Sequence, residues 1–199
     1  MPKAFSDQEK DLIREQLIEN GLKQFGIYGI KKTNVEDLAH LAGISKGAFY
    51  LFFNSKEELF LEIIEQIEEK YRSEVFVNGF TSEIPDRESF KQVLKKAFSL
   101  WKSNPILKNF SQAEYEYLLR KLPPERVRAH LASDDIFIAE LMEIWKSQGI
   151  EMNTMPDVVS GLMKALFFVS LHEAEFKEGI YTETLHLLID LVASHLFPE

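Results

Sequence analysis

The stretch that decides the fold runs from position 33 to position 50: Thr33-Asn-Val-Glu-Asp-Leu-Ala-His-Leu-Ala-Gly-Ile-Ser-Lys-Gly-Ala-Phe-Tyr50. It contains two helix starts. Thr33 with Glu36 three residues on makes a capping box, and Ser45 caps a second helix expected to reach about Phe53. Gly43 ends the first helix. Val35, Leu38, Ala39 and Ala42 share that helix's inner face, where the alanines let another helix cross closely, and Ile44 plugs the turn. This is helix-turn-helix spacing.

Along the second helix, steps of 100° place Phe49 and Phe53 together with Phe52 beside them, while Gly47, Tyr50 and Leu51 point the opposite way. One face is core and the other is free. The free face begins at a helix N-terminus, where unpaired N–H groups and the helix dipole favour an anion such as a DNA phosphate. Lys46 adds a mobile cation there and Gly47 lets another backbone approach. Tyr50 offers a hydroxyl to phosphate and a ring to a thymine methyl.

Outward from this motif the apolar residues keep helical spacing. Leu12, Ile13, Leu17, Ile18, Leu22 and Phe25 form a first helix, closed by Gly26, Tyr28 and Gly29. Ser55 with Glu58 makes a capping box for a long helix to about Tyr71. Residues 77–86, with Asn78, Gly79, Ser82 and Pro85, read as a loop. Phe90, Val93, Leu94, Ala97, Phe98 and Trp101 then mark a helix ending near Asn104, ahead of Pro105. Pro123-Pro124 interrupts the next helical stretch, and 149–156 is a loop. Pro156 opens the first of two final helices, about 156–175 and 182–196. The fold class is all-α with about nine helices. An N-terminal three-helix helix-turn-helix domain (1–54) precedes a C-terminal helical domain (55–199), with no internal repeat.

Composition narrows the function. The 199 residues are 45% hydrophobic and 28% charged and contain no cysteine, which excludes disulfides and thiolate zinc sites. The first ten residues lack the apolar run of a secretory signal. The most apolar stretch, 158–171, is too short to span a bilayer and is broken by Ser160 and Lys164. No membrane partner is expected, and the expected location is cytoplasmic. The net charge of −9 argues against bulk coating of nucleic acid, but it is uneven. Residues 1–60 hold 8 Lys/Arg against 9 Asp/Glu, a balance of −1, so the remainder carries −8. Five of those eight cations fall between Lys23 and Lys56, where a local basic face can form.

The segment Gly43-Ile-Ser-Lys-Gly-Ala-Phe-Tyr-Leu-Phe-Phe-Asn-Ser-Lys-Glu-Glu-Leu59 resembles the signature of TetR-family regulators, and the resemblance covers about residues 7–61. It implies that Ser45, Lys46, Gly47, Ala48, Tyr50 and Leu51 face DNA, and that Thr33 and Asn34 touch phosphate. It further implies that Lys56 clamps phosphate from the fourth helix. Ala48 and Leu51 depart from the usual pattern of hydroxyl, polar or aromatic residues, so base readout there is expected to be apolar. The resemblance also implies a homodimer on a double-stranded palindromic operator. Ligand binding would move the fourth helix through residues 105–110 and so release DNA.

Beyond Leu61 the resemblance is one of length and helix layout. Trp101, Phe110, Tyr115, Phe137, Met163 and Phe167 are expected to line a pocket for a small apolar or amphipathic effector, although each singly could be plain core. Leu166, Val169, Leu185, Leu188, Ile189, Val192 and Leu196 belong to two helices that are apolar almost all round, which predicts a twofold interface. His172 with Glu173 and Glu175 does not bring three ligands to one helical face, so no metal and no cofactor are expected. No nucleophile–base order or phosphate loop is present. The sequence favours a ligand-responsive repressor. An activator or chromosome-binding factor without an effector, and an all-helical enzyme using the aromatic cavity, remain the alternatives.

Overall fold

In the computed structural model the described residues are 5–77, 79, 86–150, 152 and 154–197. They form nine α-helices and no strand. Helix α1 (Asp7–Lys32) starts at a Ser6–Glu9 capping box and breaks at Gly29, whose φ of +73° only glycine adopts without strain. The expected stop near residues 26–29 is therefore a break, followed by one further turn. Helix α2 (Val35–Leu41) is capped by Asn34, not Thr33: Asn34 Oδ1 accepts the Asp37 N–H at 2.8 Å. Helix α3 (Lys46–Phe49) is a single turn capped by Ser45, shorter than the run to Phe53 that the sequence suggests. Leu51 and Phe52 donate three residues back, to Ala48 and Phe49, so the chain tightens before reaching Phe53. Gly43 makes the intervening turn at φ +69°.

Helix α4 (Lys56–Tyr71) begins where Ser55 Oγ accepts the Glu58 N–H, and it continues into a π-helical turn over Arg72–Val77. The loop expected over 77–86 lies mostly outside the described residues. Helix α5 (Arg87–Ser103) follows an Asp86 cap and ends at Asn104, and a 3₁₀ turn (Leu107–Asn109) leads to α6 (Gln112–Lys121). Helices α7 (Pro124–Ser147) and α8 (Pro156–Leu171) each carry proline in the first turn, where its missing N–H costs nothing. A 3₁₀ turn (Glu173–Glu175) separates α8 from α9 (Ile180–Leu196). No described helix is long and apolar enough to cross a membrane.

Two hydrophobic clusters hold the chain. The first joins Leu17, Leu38, Phe49, Leu59 and Ile63 to Ile106, Leu107 and Leu118, so α4 binds the N-terminal helices to α6 through continuous apolar contact. The second comprises Phe90, Leu94, Trp145, Leu166, Ile189 and Leu196 and their neighbours on α5, α7, α8 and α9.

That second cluster corrects the interface expected from sequence. Leu166, Leu185, Ile189, Val192 and Leu196 are buried inside the single chain, and Val169 and Leu188 pack against the same cluster. The reason is geometric: α9 lies along α5, and α8 lies against α7, so these residues have partners within one chain. The exposed apolar stripe lies elsewhere, with Val158, Gly161 and Ala165 on α8 and Ile180, Leu187 and Leu191 on α9, joined by Phe168, whose ring also meets Tyr115 and Phe167 at the cavity wall.

Helices α1 and α4 cross most closely at Gly21, where an added Cβ would lie 2.8 Å from Ile63 Cδ1 and 3.3 Å from Leu59 Cδ2. A branched side chain has nowhere to go there. Gly21→Val should destabilise the protein by about 1–3 kcal/mol in urea denaturation, the usual cost of overpacking.

Candidate nucleic-acid interface and ligand cavity

The helix-turn-helix presents one coherent outer surface. Ser45, Lys46, Gly47, Tyr50 and Leu51 are exposed, and Ala48 is half-buried. Leu51 is 74% exposed although it is apolar, so nothing within the chain covers it. Phe49 and Phe53 are buried beneath, with their rings 6.0 Å apart. Lys46 Nζ rests 2.9 Å from Glu36 Oε1, which raises the lysine pKa through hydrogen bonding and charge. An exposed pair of this kind is weak and yields readily to a phosphate.

Three expected phosphate contacts look different in the structure. Thr33 is only 3% exposed, and its hydroxyl donates to Gly29 O at 2.9 Å. It locks the α1–α2 corner and does not reach the surface. Asn34 stands exposed, its side chain occupied as the α2 cap. Lys56 Nζ donates to Thr33 O at 2.6 Å and to Lys31 O at 3.2 Å, so two of its three donors tie α4 to that corner. Burial lowers its pKa.

The C-terminal helices enclose a cavity of about 300 Å³ between the two hydrophobic clusters. All six residues expected at an effector site, Trp101, Phe110, Tyr115, Phe137, Met163 and Phe167, line this one space. Their rings interlock: Trp101 meets Phe167 edge-on at 5.3 Å, Phe167 meets Tyr115 at 5.9 Å, and Tyr115 meets Phe110 at 6.5 Å. Phe110 then stacks on Phe60 of α4 at 5.9 Å, and Phe60 meets Phe25 of α1 at 5.1 Å. Leu61, Ile64, Glu68 and Tyr71 of α4 complete the wall.

With this geometry in view, comparison with known proteins shows what the N-terminal segment is similar to. Residues 17–63 match the family of bacterial regulatory proteins described as tetR. Over 50 residues the chain is 40% identical to a probable acrEF/envCD operon repressor of Escherichia coli K12, a match spanning 25% of this chain and 23% of that relative. Over this N-terminal segment the chain is similar to TetR-family regulators. Over nearly its whole length the fold is similar to that of a TetR-family transcriptional regulator from Pectobacterium atrosepticum, with a TM-score of 0.73 at 19% identity, covering 98% of this chain and 99% of that one. Thermus thermophilus FadR, a TetR-family repressor solved with lauroyl-CoA, gives 0.67 at 21% identity over 94% and 96% of the two chains.

The sequence does not reveal a charged cluster where α4 meets α7 at the cavity edge. Arg126 donates two hydrogen bonds to Glu65, at 3.0 and 2.6 Å, and Arg72 pairs with Asp134 while lying 4.9 Å over the Phe137 ring. His130 Nδ1 sits 3.4 Å from Glu65 Oε1 and 3.9 Å from Glu68 Oε2, buried and without a hydrogen bond. The only trace in the sequence is spacing, Glu65 with Glu68 on one helix and Arg126, His130 and Asp134 four apart on another. Nothing in a linear chain pairs segments some sixty residues apart.

The cluster splits the two glutamates. Burial would raise the Glu65 pKa, but His130 and Arg126 outweigh it and hold this carboxyl at about 2. Burial dominates at Glu68 and pushes it up to about 7. Burial also opposes a charge on His130, yet Glu65, Glu68 and Asp134 raise its pKa.

A carboxyl whose folded pKa lies above its ordinary value costs nothing at low pH and progressively more as pH rises through 4.5 towards 7 and beyond. Glu68→Gln should therefore stabilise the protein by about 1–3 kcal/mol at pH 8 and by under about 0.5 kcal/mol at pH 4.5, measured by urea denaturation. An equal gain at both pH values would contradict this account of Glu68.

Proposed function

We propose that the protein is a ligand-responsive transcriptional repressor that works in the cytoplasm and binds a palindromic operator as a homodimer. The observation that carries this reading is the double duty of α4. Its first turn holds the helix-turn-helix through Lys56 and Leu59, and its later turns wall the cavity through Leu61, Ile64, Glu68 and Tyr71. A ligand that fills the cavity displaces α4, and α4 cannot move without carrying the recognition surface. A second strut runs through α6, where the Tyr117 hydroxyl donates to buried Glu57 Oε1 at 2.5 Å. Glu57 and burial together push the Tyr117 pKa up to about 12.

The similar proteins support the reading, since FadR is solved with a bound acyl-CoA and the E. coli relative is named a repressor. The exposed stripe on α8 and α9 supplies the dimer face. Val158, Gly161, Ala165 and Phe168 recur at three- and four-residue steps, and nothing lies within 4 Å of a Cβ built on Gly161, so a partner helix can approach closely. Two copies joined there present two recognition surfaces to successive turns of DNA.

Selection from a random double-stranded pool should yield a palindrome bound by two chains. On that site Tyr50→Ala should weaken specific binding about tenfold or more, at the scale of one lost base contact. Lys46→Ala should lower affinity on all sequences and reduce the salt slope by about one. Recovery of no preferred sequence would reject the regulator reading. Leu187→Glu combined with Leu191→Glu should give a monomer by light scattering that no longer holds the palindrome; a double variant that stays dimeric would place the interface elsewhere.

A further inference from the structure

Among the described carboxylates around the cavity's charged end, Glu68 alone has no hydrogen-bonded cation. Glu65 is spent on Arg126, Asp134 on Arg72, and Asp135 on Lys164 and Ser160. Glu68 has only His130 Nδ1, at 3.9 Å and beyond hydrogen-bonding distance. Its side chain keeps 23% of its surface accessible although protein atoms surround it deeply, because that surface is part of the cavity wall. A buried carboxyl on the wall of a mainly apolar cavity is costly unless it keeps its proton or meets a cation.

We infer that the cavity's effector is an amphipathic cation, an ammonium head held against Glu68 with an apolar body among Trp101, Tyr115 and Phe167. This rests on the reading of the cavity as an effector site. Charge balance favours a cation: Glu65, Asp134 and Asp135 are cancelled by Arg126, Arg72 and Lys164, which leaves ionised Glu68 as one uncompensated negative charge when His130 is neutral. An anion fits poorly, since Arg72, Arg126 and Lys164 are already paired and it would face Glu68 directly. The ring faces add to the selection, because aromatic quadrupoles attract alkylammonium groups.

Binding is coupled to a proton. Glu68 holds its proton up to about pH 7 in the empty cavity, and an arriving cation converts it to the carboxylate and releases that proton to solvent. The groups facing Glu68 are Glu65 on its own helix, Arg72 on the π-helical turn that continues it, and His130 and Asp134 on α7. His130, with its raised pKa, loses its own charge as pH climbs, which favours the cation in the same direction.

The test uses the full chain and three probes of equal length: decyltrimethylammonium, decanol and decanoate. Titration calorimetry should show the ammonium binding at least about tenfold more tightly than decanoate at pH 8. Its affinity should rise about tenfold from pH 6 to pH 8, the change in ionised Glu68 expected for a pKa near 7, with proton release seen as a buffer-dependent enthalpy. Glu68→Gln should lose that preference and most of the pH dependence, His130 keeping the remainder, while binding decanol within about twofold of the wild type. Decanoate binding as tightly as the ammonium, or an unaltered Glu68→Gln titration, overturns the cation inference while decanol binding keeps the effector reading. Failure of all three probes to bind rejects the effector cavity itself.

Discussion

The close crossing of α1 and α4 at Gly21 is the constraint on which the rest of the molecule depends. With no side chain between them, Leu59 and Ile63 reach the floor of the N-terminal core beside Leu17 and Phe25. The same helix, one turn further on, turns Ile64 and Glu68 to the cavity. Interiors packed to this density deform little, so a shift imposed at one end of α4 is transmitted as a rigid displacement and not absorbed locally.

Electrostatics divides along the same helix. Near its start, Lys56 and Glu57 are committed to holding neighbouring elements, through the carbonyls of Lys31 and Thr33 and the hydroxyl of Tyr117. Near its end, Glu65 and Glu68 stand three residues apart with opposed pKa shifts, because Arg126 reaches only the first of them. Two identical side chains thus acquire different roles, one as a strut to α7 and one as an unpartnered group in the cavity wall.

The helix-turn-helix was legible because its signals are local: Ser45, Gly43 and the Phe49/Tyr50 alternation act within a few residues of one another. Aromatic content was the signal for five of the six residues that meet in the cavity, Met163 being the sixth. Thr33 misled because a hydroxyl three residues before a glutamate looks like a cap, whereas the break at Gly29 turns it inward and leaves the cap to Asn34. The α8–α9 surface misled for a different reason. Helices apolar on all sides reveal that two faces are covered but not which face meets its own chain, and α5 and α7 decide that only once the fold is formed.

The tether at Lys56 bears on how costly it is to engage a phosphate. A free lysine surrenders up to about 2 kcal/mol of rotamer freedom when it is pinned. Here the ammonium is already pinned by two carbonyls, so that loss is incurred when the chain folds. A phosphate arriving at its remaining donor meets a charge fixed in place, and association gains in rigidity what the isolated protein gave up in entropy.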